Sequence, residues 1–85
     1  MAMRKDGTVQ VGIVGLGPRS VAQIVGVKEA GGSVITAICD PRKDRVQWAL
    51  KIMRDRKMRK PRVYLDYRKL LADRGVEAVL APTSW

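Results

Sequence analysis

Short runs of aliphatic residues recur along the chain, and longer stretches that mix apolar and polar residues separate them. The runs lie at residues 8–15, 34–39, 62–65 and 77–81, and their Val, Ile and Leu content suits β-strands. The first two have the length and composition of strands that are buried on both faces, as in a parallel sheet. The pattern therefore predicts four short strands with three helices between them.

The first interval predicts a helix that begins near Pro18, whose fixed φ suits a first helical turn, and stops at Gly31 and Gly32. Residues at the helical spacing i, i+3, i+4 and i+7 form its expected stripe, which consists of Val21, Ile24, Val25 and Lys28, with only the last polar. The second interval predicts a helix that frays before Pro61. Its apolar stripe is cleaner and consists of Val46, Ala49, Leu50 and Met53.

Asp66 can cap a third helix that stops at Gly75. The side chains expected to face inward from it are Tyr67, Leu70 and Leu71. The order β-α-β-α-β-α-β with short connections indicates parallel strands joined by right-handed crossovers. We therefore predict an α/β, Rossmann-like three-layer fold with four parallel strands in the order 3-2-1-4. Residues 1–85 then form one truncated domain with its core at about residues 8–82.

A glycine-rich segment, GLGPRS at residues 15–20, connects the first strand to the first helix. In such turns the first glycine permits the tight turn and the second lets a pyrophosphate approach the backbone. The helix N-terminus supplies free N–H groups and partial positive charge. Ser20 stands where a third Gly or Ala is usual, and it is small enough for close packing. Asp40 ends the second strand, where an acid can bind the hydroxyls of an adenosine ribose.

Two other interpretations of these residues stay open. Gly15 and Gly17 can form a plain tight turn, with Asp40 as the N-cap of the second helix. A methyltransferase that uses S-adenosylmethionine shares the glycine turn and the acid. Such enzymes usually carry an acidic residue at the start of the motif, however, and residues 11–14 contain none. A dinucleotide is therefore the favoured ligand.

The composition of this 85-residue chain removes several classes of function. Because it has no histidine, His-based acid–base catalysis and His-ligated metals within the chain are excluded, and we predict neither catalytic nor metal-binding residues. The single cysteine, Cys39, excludes an intrachain disulfide and is interpreted as core packing. No apolar run reaches the roughly 18 residues of a membrane span, and no signal peptide opens the chain, so the expected location is the cytoplasm.

The net charge of +9 is concentrated in residues 41–62, which hold ten Lys or Arg against two Asp. Such a segment can bind nucleic acid, but its basic run at residues 53–62 has no aromatic residue for base stacking, which favours a solvated helix end. Trp48 and Ile52 lie off the apolar stripe of the same helix. This pair can contact a partner or be partly buried against the neighbouring helix. The pair and the unpaired edge of the fourth strand are two candidate homodimer surfaces. A nucleic-acid-binding module and a non-catalytic scaffold fragment remain the alternative functions.

Four segments occur together in the order of a known family: VGIVGLGPR at 11–19, AICDP at 37–41, VYLDYRKLL at 63–71 and VEAVLAPT at 76–83. From residue 9 onward the chain resembles the N-terminal domain of the glucose–fructose oxidoreductase/inositol dehydrogenase (Gfo/Idh/MocA) family. The resemblance implies the NAD(P)-binding domain of an oxidoreductase that acts on sugars, polyols or related carbohydrates.

The resemblance also assigns residues to the cofactor. Asp40 would hold the adenosine ribose, and a loop in which Ala81 replaces the usual Thr would lie near the cofactor. The pyrophosphate would lie on the glycine turn, formed by Gly15, Leu16, Gly17, Pro18, Arg19 and Ser20. The loop near the cofactor consists of Ala81, Pro82 and Thr83.

Family members carry a Glu-Lys-Pro motif with its lysine, a later catalytic histidine and a substrate-binding domain, and none has a counterpart in this sequence. We therefore expect the chain to bind a dinucleotide without catalysing a reaction. Asp40 would repel a 2′-phosphate and favours NAD. Arg42, Lys43 and Arg45 lie close enough in sequence to bind that phosphate, so NADP stays open.

Overall fold

The computed structural model describes residues 8–81. The strands are β1 (Val9–Val14), β2 (Ser33–Cys39), β3 (Arg62–Tyr64) and β4 (Ala78–Leu80). The helices are α1 (Ser20–Ala30), α2 (Lys43–Asp55) and α3 (Tyr67–Leu71). Strands and helices alternate strictly, so the predicted order of elements is confirmed.

All three strand pairings are parallel, and the sheet order is β3-β2-β1-β4. The predicted Rossmann-like order 3-2-1-4 is therefore confirmed. The register sets Val14 opposite Cys39 and Cys39 opposite Tyr64, so the carboxyl ends of β1, β2 and β3 lie level. This alignment brings the glycine turn after β1 beside Asp40, the residue that follows β2.

The sheet separates a large hydrophobic cluster from a small one. The large cluster lies on the side of α1 and α2 and consists of Val11, Ile13, Leu16, Ile24, Ile35, Ile38, Val46, Ala49 and Met53. The small cluster lies on the side of α3 and consists of Ala37, Cys39 and Leu70. Most of the buried apolar surface therefore holds α1 and α2 against β1 and β2, next to the glycine turn.

Helix α1 packs through a different stripe from the predicted one. Its buried side chains are Ser20 and Ile24, and Val27 packs against the large cluster. Val21 and Val25 are only half-buried, and Lys28 is exposed. The reason is that α1 is apolar around most of its circumference, so periodicity could not select the inward face. Gly31 ends the helix with a positive φ of 69°, as predicted.

Helix α2 buries Val46, Ala49 and Met53, so its predicted stripe is confirmed. The helix ends at Asp55, however, well before Pro61. Lys57 adopts a left-handed conformation with φ 56°, and the Met58 N–H donates to the Met53 carbonyl at 2.9 Å. This helix-ending motif normally uses glycine at the left-handed position, so the sequence carries no signal for it.

Helix α3 presents one inward side chain rather than the predicted three. Leu70 is fully buried, but Tyr67 is 55% exposed and Leu71 is 56% exposed. A five-residue helix makes little more than one turn, so only one of its positions faces the sheet. The helix begins at its predicted cap, because the Asp66 side chain accepts a hydrogen bond from the Arg68 N–H. It ends at Leu71, before Gly75.

Within residues 8–81, none of the helices is both long and apolar enough to cross a membrane.

Candidate functional site

The glycine turn is fastened to the end of β2 by its own backbone. Gly15 has φ 90°, a conformation that favours glycine because a side chain would be strained there. Its N–H donates to the Cys39 carbonyl at 2.9 Å, which continues the β1–β2 ladder by one residue. The chain can then leave the sheet sharply and enter α1.

Asp40 joins the two loops that follow β1 and β2. Its Oδ2 accepts a hydrogen bond from the Leu16 N–H at 2.8 Å, and its Oδ1 accepts one from the Arg42 N–H at 2.8 Å. The residue is only 3% exposed. Asp40 is not the N-cap of α2, because that position belongs to Arg42, which has no side-chain cap. Its carboxylate instead holds the glycine turn in place.

The glycine turn leaves backbone donors at the start of α1. Within the described part of the chain, no hydrogen bond involves the N–H of Gly17 or of Arg19. Among the described residues, a Cβ at Gly17 would meet the Arg45 Nη1 atom alone, at 3.7 Å. The turn therefore combines unpartnered amides, a missing Cβ and a guanidinium group, which together suit a phosphate.

Ser20 is a packing residue. It is fully buried, and its hydroxyl donates to the Gly17 carbonyl at 2.7 Å. The hydroxyl thus fixes the turn, and it does not face the space above it. Leu16 is also fully buried. The structure therefore places both side chains inside the turn, where they shape it.

A cleft of about 400 Å³ opens between the glycine turn and α2. It is lined by Leu16, Gly17, Pro18, Arg42, Asp44, Arg45 and Trp48. Arg45 was predicted only as a candidate ligand of a 2′-phosphate and Trp48 not as part of this site, although their spacing of three residues places them on one face of α2. Ile52, the predicted companion of Trp48 on a partner surface, instead packs against the large core cluster.

The positive charges at the start of α2 are not equivalent. Arg42 forms an ion pair with Asp44, with Nη2 and Oδ2 2.9 Å apart, and the hydrogen bond from Arg42 lowers the pKa of Asp44. No ion pair of Lys43 or Arg45 is found among residues 8–81. Two of the three predicted phosphate ligands therefore keep an uncompensated charge.

The remaining predicted residues lie after β4. Leu80 pairs with Ile13 on β1, so Ala81 follows β4 at the same sheet edge as the glycine turn. Ala81 is exposed. Pro82 and Thr83 lie outside the described residues. In the described part of the chain, no three His, Cys, Asp or Glu residues come together as metal ligands.

Comparison with known proteins gave two kinds of relative, and no family model matches the sequence. A glycosyl hydrolase family 109 protein of Shewanella amazonensis is 34% identical over 89 residues, covering 100% of this chain and 20% of that protein. A second protein of that description, from Streptomyces coelicolor, is 30% identical over 82 residues, covering 92% of this chain and 17% of that protein.

Solved structures that share the fold include two dehydrogenases. Myo-inositol dehydrogenase from Lactobacillus casei, in complex with NAD(H) and myo-inositol, has a TM-score of 0.73 and 27% identity, covering 87% of this chain and 21% of that one. The WlbA dehydrogenase from Chromobacterium violaceum, in complex with NADH and UDP-GlcNAcA, has a TM-score of 0.77 and 17% identity. The match covers 98% of this chain and 23% of that one.

The structural neighbours are Gfo/Idh/MocA-type dehydrogenases, so the predicted resemblance to that family is confirmed. They are NAD-binding oxidoreductases, which supports the interpretation of this fold as a dinucleotide-binding domain. The chain spans about a fifth of the length of the relatives it matches.

Proposed function

We propose that this chain binds a nicotinamide dinucleotide with its diphosphate on the glycine turn. The observation that carries the proposal is the start of α1, where the Gly17 and Arg19 amides have no hydrogen-bond partner among residues 8–81 and the Arg45 guanidinium lies beside Gly17. The N-terminal end of α1 adds partial positive charge at the same point. Because Gly17 has no Cβ, a diphosphate can reach these amides directly.

Asp40 serves this site in two ways in our proposal. Its hydrogen bonds to the Leu16 and Arg42 amides hold both loops in the shape that the cofactor needs. Each carboxylate oxygen has two lone pairs and uses one of them here, so a ribose hydroxyl can still donate to it. The cofactor supplies the hydride chemistry, and the chain binds and orients it.

We propose NAD rather than NADP as the natural cofactor. The negative charge of Asp40 disfavours a 2′-phosphate at the ribose. Arg42, the cation that follows most closely in sequence, already forms two hydrogen bonds with Asp44. Lys43 and Arg45 keep free charges, so the expected discrimination is moderate.

We assign to the chain cofactor binding and no proton-transfer step. The sequence has no histidine. Asp40 is occupied by two amides, and burial raises the pKa of the Cys39 thiol, so neither group suits acid–base work. The structural neighbours were solved with myo-inositol and with UDP-GlcNAcA, which supports a carbohydrate-related substrate for the proposed dehydrogenase. The cytoplasm is the proposed location.

The test is a calorimetric titration of the folded chain with NAD. A Gly17→Val variant should fold, because its Cβ meets only the flexible Arg45 side chain, yet its isopropyl group would occupy the place of the diphosphate. We expect its NAD affinity to fall at least about tenfold. Gly26→Val is the matched control, because a Cβ at Gly26 would meet no other described residue within 4 Å outside its own helix backbone. A folded Gly17→Val variant that binds NAD as tightly as the original chain would overturn the proposal.

A further inference from the structure

A second groove lies beside α2, away from the glycine turn, and we name it the α2–β3 groove. It has a volume of about 390 Å³. Its lining comes from one side of α2 and from the segment that leads to β3, and consists of Gln47, Leu50, Met53, Arg54, Met58, Lys60 and Pro61. It shares no lining residue with the cleft at the glycine turn, so the dinucleotide proposal does not use it.

The floor of the groove is apolar and its rim is basic. Leu50, Met53, Met58 and Pro61 form the floor. Arg54 and Lys60 are the exposed cations of the rim. Methionine side chains adapt their shape to a bound apolar group, so this floor suits aliphatic side chains.

The cations around the groove are uncompensated. The exposed ones in the C-terminal part of α2 and in the segment that leads to β3 are Lys51, Arg54, Arg56, Lys57, Arg59 and Lys60. None of the three ion pairs among residues 8–81 involves any of them. Asp55 is the only acid in this stretch. An apolar floor inside an unneutralised basic rim therefore lacks a partner of opposite charge.

The position of the groove keeps it accessible in a larger sheet. Among residues 8–81, β3 pairs with β2 alone, so it forms the outer edge of the described sheet. Val63 lies opposite Ile38 of the large cluster, is 38% exposed and therefore extends apolar surface on the α2 side of this edge. In doubly wound sheets of order 3-2-1-4-5-6 the third strand stays outermost, so further strands would not cover it.

We propose that the α2–β3 groove binds an acidic amphipathic segment of a partner protein. Aliphatic side chains of that segment fill the floor, and its Asp and Glu residues meet Arg54 and Lys60 at the rim. Nucleic acid fits less well, because the lining offers no aromatic ring for base stacking and phosphates would leave the apolar floor empty.

The test uses two synthetic peptides of identical composition. One is an 18-residue helix-forming peptide with Leu at helical i, i+3, i+4 and i+7 spacing and Glu at most other positions; the other has the same residues in scrambled order. A single-stranded oligonucleotide of the same net charge is the third probe. Binding to the full chain is followed by fluorescence anisotropy, with and without NAD. We expect the amphipathic peptide to bind at least about tenfold more tightly than either other probe.

Charge reversal at the rim distinguishes binding in the groove from non-specific attraction of an acidic peptide to a basic protein. Arg54→Glu combined with Lys60→Glu should weaken binding of the amphipathic peptide about tenfold or more. Lys69→Glu combined with Arg74→Glu makes the same charge change at exposed positions in and after α3 and should have a small effect. Equal binding of the scrambled peptide, tighter binding of the oligonucleotide, equal losses in both variants, or no binding at all would each overturn the proposal.

Discussion

Asp40 shows how one side chain can serve both folding and binding. The two N–H groups that it accepts belong to residues 16 and 42, which lie in the separate loops after β1 and β2. A buried amide without its acceptor costs about 1–3 kcal/mol, so the carboxylate stabilises the turn before any ligand arrives. In the proposed function, the same negative charge also acts on the ribose of the cofactor. Shape and selectivity of the proposed site therefore depend on one residue.

Asp44 should control how well the chain discriminates against NADP. Replacing it with Ala removes a negative charge and frees the Arg42 guanidinium to bind a 2′-phosphate. We expect the affinity for NADP, relative to NAD, to rise by roughly threefold to tenfold, which corresponds to about 1 kcal/mol. Calorimetric titrations with both nucleotides measure the ratio. Asp55→Ala is the matched control at the other end of α2, and an unchanged or lower ratio in Asp44→Ala would contradict the proposed role.

At the end of α2, Lys57 adopts a backbone conformation that is unfavourable for a residue with a side chain, and replacing it with glycine should stabilise the fold. Lys57 has φ 56°, which costs a residue with a side chain about 1 kcal/mol relative to glycine. We expect Lys57→Gly to raise the free energy of unfolding by up to about 1 kcal/mol, less the entropy that glycine gains in the unfolded chain. Urea denaturation measures the change. Lys60→Gly, at an exposed position outside the left-handed region, should give no increase.

The connection between β3 and β4 is held by a cluster around Asp73. Its carboxylate accepts hydrogen bonds from Arg62 Nε at 2.6 Å, the Tyr64 hydroxyl at 2.7 Å and the Gly75 N–H at 2.7 Å. The hydrogen bond from Arg62 is the main cause of a pKa of about 2 for Asp73. The same carboxylate raises the pKa of Tyr64. This cluster fixes the turn after α3 at the end of the sheet opposite the glycine turn.

Acid should weaken this cluster in a defined range. Because the pKa of Asp73 is lower in the folded chain than the ordinary value of 3.8, its contribution is complete above about pH 4 and is lost as the pH falls to about 2. We expect the free energy of unfolding to fall by about 1 kcal/mol, since the Arg62 side chain is 52% exposed and water screens its ion pair with Asp73. Urea denaturation measures the free energy of unfolding at pH 5 and at pH 2. Its fall between these two pH values should be smaller in the Asp73→Asn variant than in the original chain. In the Asp55→Asn variant the free energy of unfolding should fall between pH 5 and pH 2 by as much as in the original chain. An equal fall in all three proteins would exclude this role for Asp73.

The strands and their order could be predicted because each aliphatic run is short and the connections suit parallel crossovers. The glycine turn and Asp40 could be predicted because their spacing is local to one β-α-β unit. The end of α2 could not, since Lys57 in a left-handed conformation leaves no mark in the sequence. The hydrogen bond between the Leu16 N–H and Asp40 could not be predicted either, because it depends on the register of β1 against β2. Arg45 and Trp48 share a helix face, and this signal could have placed them together in the cleft.

At the scale of the whole molecule, the two sheet edges differ. The β3 edge lies beside the basic α2–β3 groove, whereas β4 presents an outer edge that no strand pairs among residues 8–81. Val79 on that edge is 41% exposed. We propose the β4 edge, rather than Trp48 and Ile52, as the surface through which copies of this chain associate, since Ile52 packs in the core and Trp48 lines the glycine-turn cleft.

This proposal predicts association that strengthens with salt. Each copy carries a net charge of +9, so copies repel one another at low ionic strength, and screening at about 0.5 M salt removes most of that repulsion. Sedimentation equilibrium should therefore give a mass that rises with concentration, and more steeply at the higher salt. Val79→Lys places a charge on the β4 edge and should keep the chain monomeric, whereas Val63→Lys on the β3 edge should not. A monomeric mass for the original chain at both salt concentrations would show that the β4 edge does not pair with itself, as would association that survives Val79→Lys.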